Sequence, residues 1–155
     1  MHLRLPVLLL CAVLGATAAH AAPYDEAADA RAAVDQALVA AKRAHQRVLL
    51  IFGANWCEDC RALDASLATP RNAQLMAREF RIVKIDVGRF DHNLDIDAAY
   101  GHPIKGGIPA AVLVDADRTV LYSTRAGELA NARRMDTEGV YHFFEQVLAQ
   151  LPTGR

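Results

Sequence analysis

Residues 48–52, Val-Leu-Leu-Ile-Phe, form an unbroken apolar run that stops at Gly53, and a pair of cysteines, Cys57 and Cys60, follows almost at once. No other stretch restricts the fold as much. Five consecutive apolar residues suit a short strand buried on both faces, as in a parallel-type sheet. Gly53, Ala54 and Asn55 supply the exit turn. Trp56 and Cys57 then open a helix expected to run to about Ser66.

The remaining elements follow from periodicity. Residues 25–44 are alanine-rich, and Ala27, Val34, Leu38 and Ala41 recur at helical spacing, which predicts an amphipathic helix. Thr69 and Pro70 signal a fresh helix start, Thr69 as a cap and Pro70 at the first helical position. That helix carries Leu75, Met76, Glu79 and Phe80. A second buried strand is expected over 81–87, with Ile82, Val83 and Ile85 as its apolar members. Residues 88–93 read as a loop and 94–100 as a short helix. Residues 105–109 turn into a third strand at 110–114, a hairpin turn at 115–118 leads to a fourth at 120–122, and a closing helix spans 136–151 with Val140, Phe143, Phe144, Val147 and Leu151 on its apolar face.

The order α, β, α, β, α, β, β, α implies parallel strands with helical crossovers first and an antiparallel hairpin later. The expected fold class is therefore α/β, a small central mixed β-sheet flanked by helices on both faces. At 155 residues the chain fits one domain once its N-terminus is set aside. A formal charge of −1 and scattered arginines offer no basic stripe of the kind a nucleic-acid binder carries.

The N-terminus has a separate job. Residues 1–4 carry one positive charge, residues 5–19 are apolar or small, and Ala19-His20-Ala21 matches a signal peptidase site. The reading is a cleaved secretory signal at 1–21 and a single domain at 22–155, placing the mature protein in the periplasm or otherwise outside the cytoplasm. The apolar run is short for a membrane span, so the mature chain is not expected to be an integral membrane protein. Cys11 leaves with the signal, and Cys57 and Cys60 remain.

Cysteines two residues apart at a helix start place both sulfurs within disulfide reach. Unpaired N–H groups and the helix dipole favour a thiolate on the first. Cys57 is then the attacking sulfur, and Cys60, one turn deeper, resolves the mixed disulfide. Zinc would want four ligands, and His45, His92, His102 and His142 have no characteristic spacing to the pair. An inert structural disulfide remains an alternative, although it closes too short a loop to constrain the unfolded chain much.

Together, the strand at 48–52, the motif Trp56-Cys57-Glu58-Asp59-Cys60 and the later Gly107-Ile108-Pro109 resemble the thioredoxin superfamily, and the split helix 57–66 and 70–80 resembles its exported branch. The resemblance covers residues 30–151. It implies a thioredoxin-like fold and thiol–disulfide exchange at Cys57 and Cys60. It also implies a cis Pro109 beside the pair, with the Ile108 backbone offered to an extended substrate segment and Trp56 as an apolar platform. Two departures stand out. The family's buried acid falls on Ile51, and its charged partner falls on or near Ile82. The usual assistant for deprotonating Cys60 is thereby missing, and Glu58 and Asp59, expected to point to solvent, do not replace it.

The direction of electron flow is expected to be reducing. Glu58 and Asp59 repel a Cys57 thiolate, which weakens the protein as an oxidant, and Ile108 resembles the residue before the proline in reducing thioredoxins. Disulfide oxidase or isomerase activity is the alternative, as is a binding module with a locked disulfide. The expected partners are exported proteins bearing thiols or disulfides, and a membrane-embedded thiol reductant as electron source. There is no glycine-rich dinucleotide fingerprint, so neither NAD nor flavin is expected. A peroxidatic site would want a polar residue before Cys57 and an arginine over it, which the adjacent residues do not offer. Asp91, His92, Asp95 and Asp97 read as solvated loop residues, His102 as packing, Lys105 as a surface charge and Asn55 as a turn former.

Overall fold

The computed structural model describes residues 22–152. The expected signal at 1–21 lies outside the described residues.

Helix α1 (Ala30–Ala44) starts later than its periodicity predicts. Asp29 is the reason: its side chain accepts from the Ala32 N–H at 2.9 Å and caps the helix. Ala27 is therefore not on the helix and is exposed. The segment before the cap instead carries Tyr24 into the interior, where only 3% of it remains accessible.

Strand β1 (Arg47–Gly53) is buried along nearly its whole length. Helix α2 (Glu58–Leu67) follows with Cys57 at its N-cap, and α3 (Pro70–Glu79) continues from it. Thr69 occupies the N-cap of α3 without capping through its side chain. Its hydroxyl donates to the Ser66 carbonyl at 2.7 Å and closes the end of α2 instead. Strand β2 (Phe80–Asp86) leads to α4 (Leu94–Ala99), a 3-10 turn at Pro103–Gly106, and the strands β3 (Ala110–Val114) and β4 (Val120–Ser123). Residues Ala132–Arg134 form a second 3-10 turn, which the periodicity did not announce, and α5 (Thr137–Ala149) closes the chain with its N-cap at Asp136.

The four strands lie in the order β2-β1-β3-β4. β1 runs parallel to β2 and antiparallel to β3, and β3 and β4 form the antiparallel hairpin. The sheet is mixed, as the element order implied. β2 is an edge strand, so its burial is one-sided: Arg81, Ile82 and Lys84 are exposed while Phe80, Val83, Ile85 and Asp86 are buried. Ile82 is thus not the buried residue expected of it. One face of the sheet packs Val48, Leu50 and Phe52 with α1 and α4. The other packs Leu49, Ile51 and Leu113 with α2, α3 and α5. The two layers position the end of β1 and the start of α2 between fixed supports, and this junction carries the cysteines.

Candidate active site

Cys57 and Cys60 are disulfide-bonded, their Cα atoms 5.2 Å apart. Cys57 has extended backbone geometry at the N-cap, and the Cys60 N–H points at its sulfur at 3.1 Å. The first-turn N–H groups of a helix have no partner within the helix, so a sulfur in this position is placed to carry negative charge. The two cysteines differ in access. Cys57 is 6% exposed and Cys60 1%. An incoming sulfur therefore reaches Cys57 first.

The Ile108–Pro109 peptide bond is cis. The Ile108 carbonyl oxygen lies 3.6 Å from the Cys57 sulfur, which brings the two distant halves of the sequence motif together. Trp56 is 46% exposed and donates through Nε1 to the Gly88 carbonyl at 2.7 Å. Its ring meets Phe90 edge-on at 6.1 Å, and Phe90 is itself 45% exposed. Phe90 holds a left-handed φ of 64°, sparsely populated for an aromatic residue. The 88–93 loop, irregular in sequence, thus sets a second aromatic ring against Trp56.

Glu58 and Asp59 do not both point to solvent. Arg133, on the second 3-10 turn, bonds Glu58 Oε2 at 2.8 Å through its guanidinium, while its backbone N–H donates to Asp59 Oδ1 at 3.0 Å. The Asp59 side chain is only 14% exposed. The repulsion these acids exert on a Cys57 thiolate is therefore partly offset by a paired cation. A residue more than seventy positions away cannot be assigned to this role from spacing alone.

Asn55 does more than turn the chain. Its side-chain oxygen accepts from the Tyr24 N–H at 2.9 Å and its amide donates to the Tyr24 carbonyl at 2.8 Å. Tyr24 is thereby anchored with its hydroxyl behind the cysteines. A Cβ on Gly53 would stand 2.2 Å from that hydroxyl and 2.9 Å from the Cys60 sulfur. Burial, followed by the charges of Asp64 and Asp86, pushes the Tyr24 hydroxyl well above the usual tyrosine range. Beside it, Lys84 and Asp64 form an ion pair. Sequence reasoning missed Tyr24, Asp64, Lys84 and Asp86. The one available signal was Gly53, since a glycine ending a buried strand marks a close approach.

The other candidates lie apart from this arrangement. His92 bonds Asp91 at 2.9 Å, and Asp95 pairs with Arg31. His102 bonds the buried Asp97 at 2.8 Å, and Asp97 also accepts from the Ile104 N–H at 3.2 Å, bracing the turn that leads to Ile108. Lys105 is exposed on that turn. Among the described residues no group of three or more His, Cys, Asp or Glu side chains could hold a metal ion. Nor is any described helix long and apolar enough to cross a membrane.

Residues 29–116 match the family model described as thioredoxin-like. Among solved structures, the disulphide isomerase from Xylella fastidiosa Temecula1 is 55% identical, covers 84% of this chain and 99% of its own, and superposes with a TM-score of 0.82. A DsbH oxidoreductase shares the fold at 18% identity, covering 74% of this chain and 80% of its own with a TM-score of 0.57. No curated protein matches the chain.

Proposed function

The chain belongs to the thioredoxin-like family and is a thiol–disulfide oxidoreductase, and on that premise we propose that it acts on exported proteins, in the reducing direction, through Cys57 and Cys60. The observation that carries this reading is the placement of the Cys57 sulfur, capping α2 and facing the Ile108 carbonyl, while Cys60 is sealed beneath it.

The chemistry balances with no further cofactor. In the reduced protein the Cys57 thiolate attacks a client disulfide, one client sulfur leaves as thiolate, and a mixed disulfide forms. Cys60 then loses its proton, attacks the Cys57 sulfur and releases the second client sulfur. Two electrons pass to the client, two protons end on its thiols, and the Cys57–Cys60 disulfide remains. A membrane-embedded thiol reductant returns the pair to the dithiol form. Trp56, Ile108 and Pro109 supply the client-facing surface, with Glu58 and Asp59 setting the local charge.

A second reading has a specific observation behind it: the Xylella relative is named a disulphide isomerase. Isomerisation begins with the same attack by Cys57, but the client resolves the mixed disulfide itself. The deciding experiment compares two substrates, an oxidised protein and a scrambled one, with the reduced enzyme and no added reductant. Stoichiometric appearance of client thiols supports reduction. Recovery of native pairing with few thiols released would replace it by isomerisation. The reduction potential in glutathione buffers is the companion measurement: about −270 mV agrees with a reductant, and about −120 mV would make the protein an oxidant.

A further inference from the structure

Phe90 is an exposed aromatic residue held in place at a conformational cost. Its φ of 64° lies in the left-handed region, which a bulky side chain adopts only when its surroundings impose it. Here the loop imposes it. The Val87 N–H donates to the Gly53 carbonyl at 2.9 Å, which ties the start of the loop to the end of β1. The Asp86 carboxylate accepts from the Gly88 N–H at 3.0 Å, and the Asp86 carbonyl accepts from the Asn93 side chain at 2.8 Å. Asp91 accepts from the Arg89 N–H at 2.9 Å, and its own N–H returns to the Val87 carbonyl at 3.1 Å. With both ends of the loop fixed, the Phe90 side of the loop still leaves that residue 45% exposed. The core gains little from a ring so placed, whereas a binding surface gains a rigid apolar contact.

Two links join this loop to the residue before Cys57. Trp56 Nε1 donates to the Gly88 carbonyl at 2.7 Å, and the Trp56 and Phe90 rings meet edge-on at 6.1 Å. Trp56 is itself 46% exposed. The two rings therefore make one apolar patch, continuous through Trp56 with the attacking cysteine. Its rim is basic. The Arg89 guanidinium lies over the Trp56 ring, 5.8 Å from the centroid. Asp91, the carboxylate nearest to Arg89 in sequence, is turned instead to the Arg89 N–H and to His92. Exposed aromatic rings with an arginine at their edge are the composition of a binding surface.

We propose that Phe90 and Trp56 form a specificity subsite, occupied by a bulky apolar side chain of the client close to its reacting cysteine, with an acidic client residue beside it facing Arg89. The occupant is an extended client segment: its sulfur bonds Cys57 while a side chain a few residues away covers the rings. No bond is made or broken at the subsite. It speeds attack by Cys57 by holding the client disulfide in place. The inference rests on the oxidoreductase reading above and names the substrate class of that same site.

The test follows attack by the reduced protein on short peptides, each with one cysteine in mixed disulfide with thionitrobenzoate, which leaves as a chromophore when Cys57 takes the peptide sulfur. A phenylalanine is placed at successive positions around the cysteine of an alanine-rich parent, with aspartate or lysine as its neighbour. The wild type is expected to react about fivefold faster with the best-placed phenylalanine than with the parent. An aspartate neighbour should give a rate about twofold above that with lysine. In Phe90→Ala the phenylalanine ratio should fall toward one, and Phe90→Leu should restore part of it. Arg89→Gln should remove the charge preference. Each ratio is taken within one variant, so a general change in Cys57 reactivity cancels and loosened packing does not reproduce the pattern. A wild type indifferent to phenylalanine, or a Phe90→Ala protein that keeps the full preference, overturns the subsite. A lysine neighbour as good as aspartate overturns its acidic part. Sedimentation showing a wild-type dimer that Phe90→Ala separates would assign the rings to a second copy and overturn the subsite too. Chromophore release from none of the peptides would overturn the oxidoreductase reading instead, so the two failures are distinguishable.

Discussion

Asn55 and Tyr24 are joined by a two-way bond, the Asn55 amide side chain accepting from the Tyr24 N–H and donating to the Tyr24 carbonyl at 2.9 and 2.8 Å. The same amide nitrogen also donates to Glu26 at 2.9 Å. A turn residue one position before Trp56 thus fastens the N-terminal segment against the cysteine site. Asn55→Ala removes both bonds to the Tyr24 backbone, and at about 1 kcal/mol each the oxidised protein should lose about 2 kcal/mol in urea unfolding. Faster amide exchange confined to residues near Tyr24 would locate the effect. An unchanged midpoint would show that the clamp contributes nothing to stability.

Gly53 is required to be small. A Cβ there would meet the Tyr24 hydroxyl at 2.2 Å and the Cys60 sulfur at 2.9 Å, neither of which can retreat within a filled interior. Gly53→Ala should cost about 1–3 kcal/mol by overpacking. In a Tyr24→Ala background the same substitution should cost clearly less, because its main obstacle is gone. Denaturant melts of the four proteins form the cycle that measures this coupling, and additive penalties would refute the contact.

Arg133 offsets the acids of the motif. Arg133→Met removes the cation beside Glu58 and Asp59, leaving Asp59 only its bond from the backbone N–H of residue 133, which disfavours the Cys57 thiolate and so destabilises the dithiol form. The reduction potential should become more negative. The Arg133 and Glu58 side chains are largely solvated, and an exposed pair is worth about 0.5 kcal/mol, so the expected shift is about 10 mV. Glutathione equilibria resolve it, and added salt should shrink the difference. A shift of opposite sign would mean that the acids do not act on Cys57.

Alkaline stability reports on Tyr24. Its hydroxyl is raised above the ordinary value of 10.0, first by burial and then by Asp64 and Asp86. The folded protein keeps this proton where the unfolded chain has released it. The contribution is therefore complete below about pH 10 and is lost as pH rises further, by up to about 1.4 kcal/mol per pH unit. Tyr24→Phe should flatten that part of the stability curve. Urea unfolding at several alkaline pH values checks it, and parallel curves for the two proteins would mean that Tyr24 ionises freely in the fold.

Periodicity and local chemistry determined much of this protein from sequence by itself. The run Val48 to Phe52 reads as a central strand, because five successive apolar side chains in so short a stretch, ended by Gly53, suit a strand covered on both sides. Cys57 and Cys60 declared their chemistry through spacing and through their position after that strand, and Gly107, Ile108 and Pro109 completed the family signature. Tertiary structure decided what sequence distance concealed. Ile82 is exposed because β2 lies at the sheet edge, a property of strand order that no strand carries in its own residues. Arg133 reaches Glu58 and Asp59, and Tyr24 packs behind Cys60, only because separate elements converge there. An apolar repeat records that a face is buried, whereas a single tyrosine, aspartate or arginine records nothing of its partner. Those pairings are fixed by the packing of α2 between the sheet, the N-terminal segment and the second 3-10 turn.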